Sequence, residues 1–124
     1  MSKRILVVED NPINLKLVRD VLRYAGYVVL EASTGEDGLR VAREDAPDLV
    51  LMDLQLPGID GTEALRRLRD ELPGLRAPVV AVTAFAMAAD RERARSAGFD
   101  GYLEKPISVR ALPGQVAGFL DGTG

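Results

Sequence analysis

The sequence predicts an α/β fold in which five parallel strands form a doubly wound sheet with helices on both faces. Five short apolar runs, rich in branched residues, carry this prediction at residues 5–8, 27–32, 49–52, 79–82 and 101–103. Runs of this length are typical of parallel strands buried on both faces. Helix-like segments separate them, so strand and helix alternate along the chain. We expect the strand order 2-1-3-4-5, in which the switch point lies between the first and third strands.

The segments between the strands have the boundary residues and the periodicity of helices. The first helix is predicted to begin at Asn11-Pro12 and to end at Gly26. The second begins near Thr34 and stops before Pro47, and the third, around residues 64–72, turns leucines inward and arginines outward. The inward residues of the first helix are predicted to be Ile13, Leu17, Val18, Val21, Leu22 and Ala25.

The last two helices are predicted to be less regular. The fourth, at residues 87–97, offers mainly alanine as an apolar anchor and arginines that face solvent, so we expect it to be loosely held. The fifth lies within residues 108–120, where Pro113-Gly114 interrupts the pattern. Because proline lacks a backbone donor and clashes with the preceding turn, this helix is either kinked or begins late, with Pro113 in its first turn.

Composition limits the classes of function. A chain of 124 residues with 47% hydrophobic residues predicts one domain at residues 1–124, with a core at about 3–120 and a frayed tail at 121–124. A net charge of -3 argues against a basic nucleic-acid surface. The absence of cysteine and histidine excludes disulfides, thiolate chemistry and imidazole catalysis. Since no apolar run is long enough for a signal peptide or membrane span, we expect a cytoplasmic protein.

Polar residues of complementary chemistry follow four of the predicted strands. Glu9 and Asp10 follow the first strand, Asp53 the third, Thr83 the fourth and Lys105 the fifth. Because ligands bind at the carboxyl ends of strands in an open parallel sheet, we expect these groups to meet at one edge. Clustered carboxylates repel one another unless a pKa rises or a cation binds, and a purely oxygen ligand set favours Mg²⁺.

This combination of groups suits phosphoryl transfer. Asp53 is a candidate nucleophile, since carboxylates form aspartyl-phosphate intermediates. Lys105 supplies a positive charge, and Thr83 a hydroxyl donor, for phosphate oxygens. An acidic pair at a strand end is, by itself, more often a helix cap or a solvated surface feature. Four strand ends that each carry a group needed for phosphoryl chemistry favour the functional interpretation.

Four segments resemble the receiver domain of two-component response regulators, which has the CheY-like fold. The resemblance covers residues 3–120. The stretches VAVTAFAM at 80–87 and KPISV at 105–109 are similar, more narrowly, to single-domain regulators of the DivK cell-division type. The four segments are VVEDN at 7–11, LMDLQLPGIDG at 51–61, VTA at 82–84 and YLEKP at 102–106.

The resemblance implies a role for each polar group. Asp53 would accept a phosphoryl group from a partner's phosphohistidine, and Lys105 would bind the phosphate. Asp10 would bind Mg²⁺ directly together with Asp53, with Mn²⁺ as a possible substitute. Glu9 would act on the ion largely through water, and Gln55 through its backbone carbonyl.

The resemblance also implies a switch and a set of partners. Thr83 and Tyr102 would form the switch pair, and the bond between Lys105 and Pro106 would be cis. The phosphodonor would be a sensor histidine kinase or a histidine phosphotransfer protein, and the output a downstream protein partner. Direct contact with nucleic acid or a membrane is not expected, nor is enzymatic activity beyond the protein's own phosphorylation and slow dephosphorylation.

Three other classes of protein would require different residues or a longer chain. A Mg²⁺-dependent phosphohydrolase commonly has a second aspartate two residues after its nucleophile, where this chain has Gln55, which cannot transfer a proton. A flavodoxin-like carrier needs a glycine- and hydroxyl-rich loop where Glu9 and Asp10 stand. A receiver domain of a larger hybrid histidine kinase is the main alternative, although a start of the fold at Lys3 favours a free-standing regulator.

Overall fold

The computed structural model describes residues 2–84 and 87–122 and contains one five-stranded sheet. The strands are β1 (Arg4–Val8), β2 (Val28–Ala32), β3 (Leu49–Asp53), β4 (Val79–Thr83) and β5 (Gly101–Glu104). All neighbouring strands are parallel and follow the order β2-β1-β3-β4-β5, which confirms the predicted fold class. The predicted frayed tail falls in part on residues 123–124, which lie outside the described residues.

Five helices alternate with the strands and cover both faces of the sheet. They are α1 (Pro12–Tyr24), α2 (Gly35–Asp45), α3 (Gly61–Glu71), α4 (Ala88–Ala97) and α5 (Leu112–Leu120). Because successive strand residues point to opposite faces, the sheet supports two apolar cores. Leu6 and Val8 belong to the core under α2, α3 and α4, whereas Ile5 and Val7 belong to the core under α1 and α5. Of the helices described, none has the length and apolar character needed to cross a membrane.

Side-chain caps fix the start of the helices that follow β1 and β3. Asn11 Oδ1 accepts hydrogen bonds from the backbone N–H groups of Ile13 and Asn14 at 2.9 and 3.1 Å. Asp60 Oδ1 accepts one from the N–H of Glu63 at 2.9 Å. These bonds satisfy N–H groups that have no partner inside the first turn. They also anchor the loops at the carboxyl ends of β1 and β3.

The exposed side of α1 differs from the prediction. Val18 and Leu22 are buried as expected, but Ile13 is 78% exposed and Leu17 38% exposed. Ala25 is exposed as well. The assignment of these three residues to the inward face was therefore wrong. Apolar residues at helical spacing cover a wider arc of α1 than the sheet beneath the helix can bury.

The last two helices are irregular in the way that their sequences indicate. Ala94 is the one buried side chain of α4, and no side chain caps the N-terminus of this helix. These two features agree with the expectation that α4 is loosely held, which stays a prediction. Of the two geometries predicted for α5, the late start is the observed one, because the helix begins at Leu112 and Pro113 lies in its first turn.

Candidate functional site

The polar groups predicted at four strand ends do meet at one edge of the sheet. Glu9 follows β1, Asp53 ends β3, Thr83 ends β4 and Lys105 follows β5. Glu9, Asp53 and Thr83 are 5%, 3% and 1% exposed, whereas Asp10 is exposed. Carboxylates are seldom buried to this extent unless they are paired. Buried charged and polar groups are therefore concentrated at this edge of the sheet.

Lys105 connects the two buried carboxylates. Its Nζ donates hydrogen bonds to Asp53 Oδ2 at 2.8 Å and to Glu9 Oε1 at 2.9 Å. Its backbone N–H donates to the carbonyl oxygen of Thr83 at 2.8 Å, and the bond between Lys105 and Pro106 is cis. The ammonium group thus lies between the ends of three strands and offsets two negative charges that would otherwise repel each other.

Burial and these contacts shift the pKa values of all three groups. Burial raises the pKa of Glu9 to about 7, with the adjacent Asp53 adding to the rise and Lys105 opposing it. Burial also acts to raise the pKa of Asp53, but its neighbours Glu9 and Lys105 and the N–H of Gln55 outweigh this effect, and the pKa lies below its usual value. Burial opposes the charge of Lys105, yet hydrogen bonds to Asp53 and Glu9 bring the pKa above its usual value. The pKa of Glu9 is therefore raised and that of Asp53 lowered, so Asp53 is the more acidic carboxylate of the pair.

The loop between β3 and α3 holds Asp53 through the backbone. The N–H of Gln55 donates to Asp53 Oδ1 at 2.9 Å, so each carboxylate oxygen of Asp53 has a donor. At Gly61, an added Cβ would lie 2.5 Å from the carbonyl oxygen of Asp53, so only glycine fits this approach. No role was predicted for Gly61, although a glycine directly after a helix-capping aspartate was a usable signal. The role of the Gln55 carbonyl oxygen stays a prediction.

Three carboxylates form a group that could hold a metal ion. Glu9, Asp10 and Asp53 each offer an oxygen atom, and these atoms lie within 4.8 Å of one another. Among the residues that the structure describes, none donates a hydrogen bond to Glu9 Oε2, which is buried. A buried carboxylate oxygen without a partner is costly, and an ion or an ion-bound water would remove that cost. An all-oxygen donor set of this kind fits a hard cation such as Mg²⁺.

Thr83 and Tyr102 lie on neighbouring strands beside this cluster. Thr83 lines a cleft of about 650 Å³ between α3 and α4, to which Leu54 and Thr62 also contribute. Tyr102 is partly buried, and its hydroxyl oxygen has no hydrogen-bond partner within the described part of the chain. Burial raises the pKa of Tyr102, and the charge of Asp90 adds to the rise. The predicted switch residues are thus placed on adjacent strands, with open space next to Thr83.

Comparison of the sequence with known proteins identifies a family. Residues 5–117 match the response regulator receiver domain. The polar-differentiation response regulator DivK from Brucella ovis is 47% identical over 109 residues, which cover 88% of this chain and 89% of that protein.

Solved structures of receiver domains superimpose on almost the whole chain. A CheY-like receiver domain protein from Methanospirillum hungatei JF-1 gives a TM-score of 0.87 at 32% identity and covers 99% of this chain and 97% of its own. The receiver domain of sensor histidine kinase PA1611 from Pseudomonas aeruginosa PAO1 gives 0.87 at 36% identity, covering 98% of this chain and 99% of its own. That receiver holds a magnesium ion coordinated in its active-site cleft. Family match, fold and site agree, and this chain belongs to the response regulator receiver domains and has their CheY-like fold.

Proposed function

We propose that this protein is a two-component response regulator whose Asp53 accepts a phosphoryl group from a partner's phosphohistidine in a Mg²⁺-dependent reaction. Receiver domains are signalling proteins that interact with histidine kinases and downstream partners, and they are not conventional enzymes. The observation that carries the proposal is the buried Asp53, with the Lys105 ammonium 2.8 Å from one of its oxygens and the carboxylates of Glu9 and Asp10 beside it. The candidate nucleophile thus lies between the Lys105 ammonium and carboxylates that could bind a metal ion.

In the transfer that we propose, an Asp53 carboxylate oxygen attacks phosphorus. A bond forms between that oxygen and phosphorus, the bond from phosphorus to the histidine nitrogen breaks, and the nitrogen keeps the electron pair. Bound Mg²⁺ supplies positive charge that offsets the charges of the carboxylates and the phosphoryl oxygens. Before transfer, both Asp53 oxygens accept hydrogen bonds, from Lys105 and from the N–H of Gln55. The Lys105 ammonium therefore has to give up its hydrogen bond to Asp53 and donate to a phosphoryl oxygen instead. The hydroxyl of Thr83, on the neighbouring strand, is the second donor to the phosphoryl group.

Mg²⁺ is expected to raise the melting temperature of the wild type, because an ion that binds only the folded state stabilises it. At a concentration a hundred times its Kd, the gain is about 2.7 kcal/mol, which corresponds to roughly 10 °C for a domain of this size. Asp10→Asn should remove most of this gain because it deletes one of the three carboxylates. Mn²⁺ is expected to act as a substitute. Thermal unfolding with and without each ion is the measurement.

A matched control for Asp10→Asn is Glu71→Gln, which neutralises an exposed acid that pairs with Arg43 on the surface. This variant should respond to Mg²⁺ as the wild type does. Melting curves of the wild type that do not respond to Mg²⁺ would contradict the metal site. A full response in Asp10→Asn would exclude Asp10 as a ligand.

The output that we propose is a protein contact that depends on phosphorylation, made in the cytoplasm without direct binding to nucleic acid or a membrane. Thr83, drawn toward a phosphoryl oxygen, would vacate space that Tyr102 enters from the adjacent strand. The support for this movement is the cleft beside Thr83 and the single buried side chain of α4. An element with so few buried contacts opens at low free-energy cost, as a switch requires.

Thr83→Ala should accept phosphate at Asp53 more slowly, yet lose the response of Tyr102 and α4, because the hydroxyl that links phosphate to the fourth strand is gone. Thr62→Ala is the matched control, since Thr62 lines the same cleft from α3. It should keep both phosphorylation and the response. Phosphate-affinity electrophoresis measures the first property and amide NMR the second. A Thr83→Ala protein that responds as the wild type does would exclude Thr83 from the switch.

A second candidate is a receiver domain that works within a larger hybrid histidine kinase. The similarity to the receiver of the sensor histidine kinase PA1611 favours it, and the match to DivK over 89% of that protein favours a free-standing regulator. An immunoblot of the source cells separates the two. A band near 13.4 kDa supports the free-standing regulator, and a much larger band supports the hybrid kinase.

A further inference from the structure

Arg91 attaches α4 to the strand that carries Tyr102. Its guanidinium carbon lies 5.5 Å from the centre of the Tyr102 ring, within the range of cation–π attraction. The same guanidinium forms an ion pair with Glu104. Tyr102 and Glu104 are two residues apart on β5, so their side chains lie on the same face of the strand. We call this contact of Arg91 with Tyr102 and Glu104 the Arg91 clasp.

Few other contacts hold α4 against the sheet. Ala94 is its one buried side chain, and its N-terminus has no side-chain cap. Arg93 pairs with Asp90 inside the same helix. Among the described residues, the ion pair between Arg91 and Glu104 is the one that connects α4 to another element. An exposed ion pair contributes little free energy, but its share is larger in a helix that has so little buried surface to hold it against the sheet.

The Arg91 clasp lies directly beside the phosphorylation site. Glu104 is opposite Thr83 in the register of β4 and β5, and it precedes Lys105, whose ammonium contacts Asp53. The Tyr102 ring lies under the guanidinium, and its hydroxyl is buried without a hydrogen-bond partner among the described residues. A hydrogen bond to this hydroxyl would lower the free energy of the protein. Movement of the ring toward such a partner is therefore favoured once Arg91 no longer contacts the ring.

We propose that Arg91 is a positioning residue for the switch: the Arg91 clasp holds Tyr102 and α4 in the arrangement of the unphosphorylated protein, and phosphorylation of Asp53 releases it. This inference rests on the proposed function of Asp53 and Tyr102. It adds a contact outside the phosphorylation site that sets the balance between the two arrangements. A contact made only in the unphosphorylated arrangement opposes the phosphorylated one, so its removal favours the latter.

The test is a titration with beryllofluoride, which forms a phosphoryl mimic on aspartate, in the presence of Mg²⁺. NMR signals of Tyr102 and of residues 88–97 report binding. Arg91→Ala should bind beryllofluoride about threefold more tightly than the wild type, and its α4 amides should exchange about threefold faster before beryllofluoride is added. Arg91→Lys should lie between the two, because lysine keeps the charge but not the planar surface.

Two further variants separate the Arg91 clasp from a general effect on α4. Arg93→Ala removes the same charge from the same helix and breaks a pair that lies inside that helix, with Asp90, so it should bind beryllofluoride as the wild type does. Glu104→Gln should reproduce part of the Arg91→Ala effect, and the double variant should add little to Arg91→Ala alone.

Equal affinities of the wild type, Arg91→Ala and Arg93→Ala would overturn this inference, as would additive effects of Arg91→Ala and Glu104→Gln. Those results leave the proposed function intact, because the wild type still binds beryllofluoride. A wild type that binds no beryllofluoride would instead contradict the proposed function of Asp53, and the role of Arg91 with it.

Discussion

Incubated with Mg²⁺ and acetyl phosphate, the wild type should gain one phosphoryl group, and Asp53→Asn should gain none. The pKa of Asp53 lies below its usual value, because its hydrogen-bonded neighbours outweigh the opposing effect of burial. A carboxamide in its place has no charged oxygen with which to attack phosphorus. Intact-mass measurement in acid detects the product, and brief treatment with base should remove it, as expected of an aspartyl phosphate.

Asp70→Asn is the matched control for this experiment. Asp70 lies on α3 and is 64% exposed, far more than the buried carboxylate of Asp53. The variant should be modified as the wild type is. A wild type that stays unmodified at high donor concentration would contradict the assignment, and so would equal modification of Asp53→Asn.

Lys105→Met should destabilise the metal-free protein by about 3 kcal/mol, because it leaves two buried carboxylates without their shared cation. The side chains of Lys105, Glu9 and Asp53 are 21%, 6% and 4% exposed, so water screens this interaction poorly. Mg²⁺ should restore much of the loss, since it supplies positive charge to the same carboxylates. Urea unfolding with and without Mg²⁺ measures both effects. Phosphorylation by acetyl phosphate should also slow, because a phosphate ligand is missing.

Lys16→Met serves as the control, because Lys16 is 68% exposed and pairs with Asp20 on the surface of α1. Its stability should change by less than about 1 kcal/mol. If Lys105→Met were as stable as the wild type without Mg²⁺, the ammonium of Lys105 would not be what holds the acidic cluster together.

Much of the fold could be predicted because its main signals are local. Strands buried on both faces appear in the sequence as short apolar runs, and their order follows from general rules for βαβ units. The start of α5 stayed open, because Pro113 excludes a helix interior without saying on which side the helix continues. Ile13 and Leu17 were assigned inward and are exposed. Periodicity reports the apolar arc of a helix and not the width of the surface that receives it.

The candidate site could be predicted as a set of residue types but not as a set of contacts. Topology places Glu9, Asp53 and Lys105 at one edge, since the carboxyl ends of parallel strands meet there. The double contact of Lys105 and the close approach of Gly61 depend on loop geometry that no local pattern reports. Arg91 was expected to face solvent with the other arginines of its helix. Its contact with Tyr102 joins two elements whose relative position only the folded structure shows.

Phosphorylation of Asp53 is expected to change the arrangement of α4 and Tyr102, and amide NMR with beryllofluoride detects such a change residue by residue. Spectra of the wild type and of Asp53→Asn are recorded with Mg²⁺, before and after beryllofluoride is added. We predict that the wild type shows shifts at residues 88–97 and at Tyr102 as well as next to Asp53, and that Asp53→Asn shows none. Wild-type shifts confined to the immediate neighbours of Asp53, with residues 88–97 and Tyr102 unchanged, would show that phosphorylation does not act on α4.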